Sequence, residues 1–155
     1  MRHIEIVAKV PDHPPEEVYP LLCDYRKWPE LSDAVRSVKI LEEGGNRALT
    51  EWEVNFNRGI MRWTEEDRFQ PGARSIVFNQ TVGEPDHFAG EWAVTDADGG
   101  SVVKFSADLD LGIPGLNDML EPIAEQALRS NLRSILSGLF KVPVELEPVG
   151  QASHS

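Results

Sequence analysis

Cysteine is almost absent from this 155-residue sequence, which contains only Cys23. A single cysteine excludes an internal disulfide framework and a zinc site built from several thiolates. We expect Cys23 to lie in a helix as a small, buried, apolar residue. The sequence also lacks an apolar run long enough to span a membrane, and its first ten residues alternate in polarity, unlike a signal peptide.

Positive charge is scarce as well. The 15 Lys and Arg are outnumbered by 26 Asp and Glu, which gives a net charge of −11. This balance disfavours nucleic acids and anionic membranes as partners. The histidines lack metal-ligand spacing, and no serine stands in a nucleophile-elbow context. We therefore predict a cytoplasmic protein without metal or cofactor. We expect it to be a monomer or a homodimer. The chain should form one domain over residues 1–145, followed by a flexible tail over 146–155.

What the sequence does contain is a regular order of secondary structure. "HIEIVAKV" alternates as a strand, "PPEEVYPLL" begins a short helix at its prolines, and "RKWPELSDAV" predicts a second short helix. Three hairpins follow between residues 36 and 111, turned at "GGN", "QPGA" and "DADGG". A long helix is predicted from residue 115 onward, and its apolar stripe contains Ala124, Ala127, Leu128, Ile135 and Leu139.

This order of elements predicts an α+β fold. About seven antiparallel strands form a sheet that must twist and curl, and its concave face needs a cover. The last helix is the one predicted element long enough to cover it. Because a helix laid across a strongly curved sheet leaves space between the two, we expect an internal cavity there.

The stretch "NRGIMRWTEEDRFQP", residues 57–71, places acids beside an aromatic residue on one strand face. With strand alternation, Trp63, Glu65 and Asp67 point the same way, and Arg62 and Arg68 point the other way. If this face lines the cavity, Trp63 supplies a flat apolar wall and the two acids are desolvated. Desolvation raises the pKa of a carboxyl group, which suits such groups to acid–base chemistry.

Four segments resemble one protein family when they are taken in order. "WPEL" at 28–31, "RWTEEDR" at 62–68, "GEWAV" at 90–94 and "LRSNLRSI" at 128–135 resemble the polyketide cyclase/dehydrase branch of the START-like (Bet v 1-like) helix-grip superfamily. The resemblance covers roughly residues 4 to 141. It implies a cofactor-independent aromatase/cyclase that folds a poly-β-keto chain in its cavity, closes a ring by aldol chemistry and removes water.

The sequence departs from the family pattern at two positions. Asp67 stands where the resemblance implies a pocket arginine, and Arg68 lies one residue further along, on the outward side unless a β-bulge turns it in. Val35 stands where the family carries a tyrosine. These departures leave open a different ring pattern, a different substrate or no catalysis.

The residues that we expect to form the site fall into two groups. The catalytic candidates are Glu65, Asp67 and Arg68, and the candidates for substrate binding are Trp28, Trp63, Phe78, Gln80, Trp92 and Asn131. Each has a structural alternative: the tryptophans can be core residues, the acids can lie on a solvated face, and Asn131 can satisfy a structural hydrogen bond. Trp52 is expected in the core and not in the site.

Two classes of function remain. The first is a polyketide cyclase acting on a chain carried by an acyl carrier protein, which would dock on a basic patch of Arg26, Lys27 and Arg36. The second is a non-catalytic carrier of a hydrophobic ligand, similar to coenzyme Q- or lipid-binding members of the superfamily. A carrier needs mostly apolar walls, whereas an enzyme needs convergent polar groups. Glu65, Asp67, Asn79, Gln80 and Asn131 favour the enzyme.

Overall fold

A computed structural model describes residues 1–56 and 59–148 of the chain. Its strands form one antiparallel sheet in the order β2-β3-β4-β5-β6-β7-β1-β8. The strands are β1 (Arg2–Pro11), β2 (Val35–Gly44), β3 (Arg47–Phe56), β4 (Gly59–Gln70), β5 (Ser75–Gly83), β6 (His87–Ala97), β7 (Gly100–Asp110) and β8 (Glu145–Leu146). The helices are α1 (Pro15–Cys23), α2 (Trp28–Leu31) and α3 (Asn117–Phe140).

The three predicted hairpins are confirmed. Residues of β2 pair with β3, β4 with β5, and β6 with β7, each across a short connection. Gly45, in the first turn, has φ of 59°, a left-handed conformation that glycine adopts without a steric penalty. Alternation along each strand then puts one apolar set on the concave face of the sheet.

An eighth strand, β8, is not predicted by the sequence pattern. It pairs Glu145 and Leu146 with Lys9 and Ala8 at the edge of β1. Of the expected flexible tail over 146–155, Leu146 lies in β8 and the Glu147 N–H donates to the carbonyl of Val7, whereas residues 149–155 lie outside the described residues. The proposed domain boundary stays a prediction.

Helix α3 lies across the concave face, as expected for the helix-grip fold. Its buried side includes Ala124, Leu128, Leu132, Ile135 and Leu139, which recur every three or four residues. This single stripe closes the core against residues of the central strands. The predicted α+β helix-grip architecture is therefore confirmed, with eight strands where the sequence indicated about seven.

The two short helices close one end of the sheet. Helix α1 continues through Pro20, which is exposed, so the Glu16 carbonyl that loses its helical partner can bond water. Helix α2 packs against α3 so closely that a Cβ built on Gly138 would lie 1.9 Å from the carbonyl oxygen of Leu31. This contact positions Trp28, at the start of α2. Cys23 ends α1 partly exposed, so the expectation that it is buried is wrong.

Within the described residues, no helix combines the length and apolar character needed to cross a membrane.

Candidate functional site in an aromatic cavity

A cavity of about 60 Å³ lies between α3 and the concave face of the sheet. All four tryptophans line it, together with Tyr25, Phe78, Phe88 and Phe105. Leu128, Leu132 and Ile135 form the side contributed by α3. Sites for drug-sized ligands span roughly 300–1,000 Å³. Binding a ligand of that size therefore requires lining side chains to move.

Trp28 is the aromatic residue that α2 contributes. It packs edge-on against Trp52, with ring centroids 5.3 Å apart, and against Trp92 at 5.8 Å. Its indole Nε1 is buried and has no hydrogen-bond partner among the described residues. Trp28 thus joins the tryptophans of β3 and β6 into one wall. Trp52 lies in the core, as expected, and it lines the cavity as well.

Glu65 and Asp67 are both buried on the inner face of β4, with exposures of 5% and 0%. Glu65 lines the cavity, and its Oε1 accepts a hydrogen bond from Trp63 Nε1 at 2.7 Å. Asp67 lies behind it and accepts hydrogen bonds from the hydroxyls of Thr50 at 2.5 Å and Tyr25 at 3.3 Å. The two carboxyl groups lie close enough for each to shift the pKa of the other. Ionising both at once is unfavourable, because two like charges would be buried side by side.

Burial sets the protonation of this pair. Desolvation raises the pKa of Glu65 well above its ordinary value, and the neighbouring Asp67 raises it further. Desolvation also raises the pKa of Asp67, but the interaction with Glu65 and the hydrogen bonds from Thr50 and Tyr25 oppose that rise. The unequal surroundings favour the proton on Glu65 and the negative charge on Asp67. Since the two groups titrate together, the pair holds one proton and one charge over an intermediate range of pH.

Arg68 does not reach the cavity. It is exposed on the outer face of β4. The pairing of β4 with β3 runs without a break from Arg68 to Gly59, so no bulge in this stretch turns Arg68 inward. The irregularity in the pairing with β5 lies opposite Thr81, far along the strand from Arg68. The expectation that Arg68 belongs to the catalytic group is therefore corrected, and Asn79, also exposed, is removed for the same reason.

Two polar candidates lie on the inner side but make structural bonds. Gln80 pairs with Glu65 across β4 and β5, and its Nε2 donates to the carbonyl of Pro85 at 2.6 Å. Gln80 does not line the cavity, whereas Phe78 does. Asn131 lines the cavity from α3, and its Nδ2 donates to the carbonyl of Asn55 at 2.7 Å. Asn131 therefore links the helix to the end of β3 while it contributes to the cavity wall.

The expected basic patch is neutralised by nearby acids. Arg26 contacts Glu43 at 2.9 Å, and Lys27 contacts Asp24 at 3.5 Å. Arg36 contacts Glu53 at 3.3 Å. All three cations are exposed and paired, so they do not form a free positive surface.

The residues that sequence reasoning missed are those that surround Asp67. Thr50 is fully buried, and its Oγ1 accepts a hydrogen bond from Trp52 Nε1 at 2.8 Å. Tyr25 is 3% exposed and reaches Asp67 from the turn before α2. Thr50, Trp52 and Val54 are spaced two residues apart and therefore share one strand face. This spacing was the available signal for an inward-facing threonine. The contact with Asp67 follows from the strand register, which the sequence alone did not provide.

Comparison with known proteins places this geometry among related folds. The family model described as "Polyketide cyclase / dehydrase and lipid transport" matches residues 11–136. No match was found among curated proteins.

The fold is similar to solved structures at low sequence identity. A protein from Thermus thermophilus is 23% identical, with a TM-score of 0.80, over 90% of this chain and 95% of that one. The Zhui aromatase/cyclase from Streptomyces sp. R1128 is 22% identical, with a TM-score of 0.77, over 90% and 92%. A START superfamily protein from Mycobacterium smegmatis is 13% identical, with a TM-score of 0.76, over 90% and 97%.

Proposed function

The chain belongs to the polyketide cyclase/dehydrase and lipid transport family, and on that premise we propose that it is a cyclase/dehydratase acting on an oxygenated polyketide in its aromatic cavity. The reaction would be aldol ring closure followed by loss of water, without a cofactor. Flat aromatic walls suit a chain that becomes an aromatic ring, because offset-stacked and edge-to-face contacts stabilise such pairs.

The observation that carries this proposal is the buried carboxyl pair formed by Glu65, on a mostly apolar cavity wall, and Asp67 behind it. Burying two acids is unfavourable unless hydrogen bonds compensate, and a merely structural core would be more stable with apolar residues there. A carboxylic acid that keeps its proton near neutral pH is the group that general acid catalysis needs.

The dehydration step can be written with Glu65 alone. Its carboxylic acid gives a proton to the hydroxyl group β to a ketone, the C–O bond breaks and water leaves. The resulting carboxylate takes a proton from the α-carbon, which lies between the carbonyl carbon and the carbon that carried the hydroxyl group. The electrons of that C–H bond form the new C=C bond. Glu65 ends as it began. Asp67 stays ionised throughout and holds Glu65 in place.

The test is dehydration of a small β-hydroxy ketone. The compound 3-hydroxy-1-tetralone loses water and tautomerises to 1-naphthol, whose formation is followed by fluorescence. We expect the protein to accelerate this conversion and Glu65→Gln to lower the rate by roughly 10²- to 10⁴-fold, as for a lost general acid. Ring closure is tested separately with a poly-β-keto chain on its acyl carrier protein, by product profile.

A control lies on the same strand. Arg68 is exposed on the outer face of β4, so Arg68→Ala should leave the rate unchanged. Equal rates for Glu65→Gln and the wild type would remove Glu65 from the chemistry. If the wild type turns over neither substrate, the enzyme proposal fails.

A second candidate is a non-catalytic carrier of a hydrophobic ligand such as a quinone or lipid. It is favoured by the predominance of apolar side chains in the lining and by the engagement of Glu65 with Trp63 and Asp67. Mass spectrometry of the purified protein under native conditions distinguishes the two. A co-purifying quinone or lipid, together with no turnover of either substrate, would support the carrier.

We also propose, as part of the enzyme function, that an acyl carrier protein delivers the chain in the cytoplasm. The ion pairs of Arg26, Lys27 and Arg36 are exposed and therefore worth roughly 0–1 kcal/mol each. Acidic groups of a carrier protein can replace Glu43, Asp24 and Glu53 at little cost in free energy. Reversing the charge of Arg26 should then raise the KM for the carrier-bound substrate. The KM for the tetralone should stay unchanged.

A further inference from the structure

Asp67 accepts hydrogen bonds from two elements. Thr50 on β3 donates to Oδ2, and Tyr25 in the turn before α2 donates to Oδ1. Glu65, two residues before it on the same strand, is the carboxyl group whose titration is linked to that of Asp67. Asp67 is 0% exposed, so these groups replace water as its solvent. A carboxylate with several donors is stabilised in its charged form.

The orientation of the Thr50 hydroxyl is itself determined by Trp52. A threonine hydroxyl has one hydrogen to donate, and an indole N–H acts only as a donor, never as an acceptor. Because Trp52 Nε1 donates to Thr50 Oγ1 at 2.8 Å, Thr50 accepts there and its own hydrogen is free for Asp67 at 2.5 Å. The chain of hydrogen bonds therefore runs in one direction, from Trp52 through Thr50 to Asp67.

We propose that Thr50, oriented by Trp52, is a positioning residue that holds the negative charge on Asp67 and thereby keeps the shared proton on Glu65, at the cavity wall. Thr50 does not line the cavity and would not touch the substrate. The catalytic consequence rests on the proposed function of Glu65 as the acid. The location of the proton is a property of the protein without substrate.

The other titratable groups around Asp67 do not compete with this assignment. Tyr25 is neutral, since burial and the adjacent acids raise its pKa well above the ordinary value. Glu66, on the outer face of β4, disfavours the charge on Asp67 by repulsion. Cys23 acts on Tyr25, and burial raises its own pKa. None of these groups is basic, so the donors, not a cation, retain the charge.

The experiment is a pH titration of the side-chain carboxyl carbons by ¹³C NMR in protein labelled at Glu and Asp, without ligand. In the wild type we expect Asp67 to ionise first and Glu65 to keep its proton to higher pH. Thr50→Val keeps the size of the side chain and removes the hydroxyl. It should raise the midpoint of the first ionisation by about one to two pH units, the equivalent of one hydrogen bond to a charged group.

The conservative variant separates positioning from packing. Thr50→Ser retains the hydroxyl and should restore the wild-type midpoint, whereas a packing effect would not be reversed by serine. If Thr50→Val does not fold, Trp52→Phe provides the test, because it releases the Thr50 hydroxyl and should shift the midpoint in the same direction by less.

Three results would overturn the inference: ionisation of Glu65 before Asp67 in the wild type, an unchanged midpoint in Thr50→Val, or, where that variant does not fold, an unchanged midpoint in Trp52→Phe. The proposed function can fail separately. If neither the tetralone nor the carrier-bound chain is turned over but Thr50→Val shifts the titration, Thr50 still positions the proton and the enzyme assignment is wrong. If the tetralone is dehydrated and the midpoint does not move, the enzyme assignment stands without Thr50.

Discussion

Trp52 and Trp63 face each other across β3 and β4 with their indole planes 6° from parallel and their centroids 6.0 Å apart. Each donates its N–H to a residue two positions away on its own strand, Trp52 to Thr50 and Trp63 to Glu65. Because the strands are antiparallel and Thr50 pairs with Glu65, both N–H groups point toward the same end of the cavity. The two indoles thus support the acidic pair from both strands.

Stability should depend on pH through Glu65. Its pKa is raised above the ordinary 4.5 in the folded protein, so the folded state binds more protons than the unfolded state above that pH. The stabilisation is full below about pH 4.5 and is lost as pH rises through the folded pKa, by up to about 1.4 kcal/mol per pH unit. As pH rises from about 4.5 to the folded pKa, the free energy of unfolding should fall more steeply for the wild type than for Glu65→Gln. Chemical denaturation at each pH measures this, and parallel curves would contradict it.

Asn131→Leu should weaken both the fold and the site to a limited extent. The change removes the 2.7 Å hydrogen bond to the Asn55 carbonyl and leaves that group without its partner from α3. We expect a loss of about 1–2 kcal/mol in the free energy of unfolding and reduced product formation by the folded protein. Arg133→Leu, exposed on the same helix, is the control. Unchanged turnover in Asn131→Leu would make Asn131 a structural residue alone.

Gly138→Ala should loosen the contact between α2 and α3. A Cβ at this position meets the Leu31 carbonyl oxygen at 1.9 Å, so the backbone must move. Overpacking of this kind destabilises by roughly 1–3 kcal/mol. Trp28 begins the same short helix, so affinity for 1-naphthol should fall as well. Thermal unfolding and ligand titration are the measurements, with the exposed Ser130→Ala as control. A variant as stable as the wild type would show that α2 shifts freely.

The cavity should discriminate against anionic ligands. Among the lining residues that the structure describes there is no Lys, Arg or His, and the hydrogen bonds to Asp67 favour a negative charge behind Glu65. We expect 1-naphthol to bind at least about tenfold more tightly than 1-naphthoate, because a carboxylate would be buried beside a like charge. Asp67→Asn should reduce this difference in affinity between 1-naphthol and 1-naphthoate. Calorimetric titration of both ligands tests this, and equal affinities would mean that a cation reaches the bound ligand.

Strand alternation was sufficient to predict which residues of β4 face inward. It placed Trp63, Glu65 and Asp67 on one side and Arg68 on the other, as observed. It could not predict that Thr50 reaches Asp67, because that contact is diagonal and depends on the register between two strands. The pairing of Arg26 with Glu43 was also hidden, because it joins the turn before α2 to β2 across 17 residues of sequence.

The volume of the cavity was also outside the reach of pattern reasoning. A curved sheet under one helix indicates that space exists, but the packing of Trp28 against Trp52 and Trp92 determines how much remains. Side-chain packing of this kind depends on distances of a few tenths of an ångström, which polarity patterns do not encode.

The two-residue strand β8 has a consequence for self-association. It is bounded by Pro143 and Pro148, which have no N–H to offer a neighbouring chain. An unprotected sheet margin is a template on which further molecules can add strands and grow into fibres. Pro143 and Pro148 interrupt the sheet edge formed by β8, because neither can donate a backbone hydrogen bond to an added strand. Addition of a further strand along β8 is therefore disfavoured at this end of the sheet.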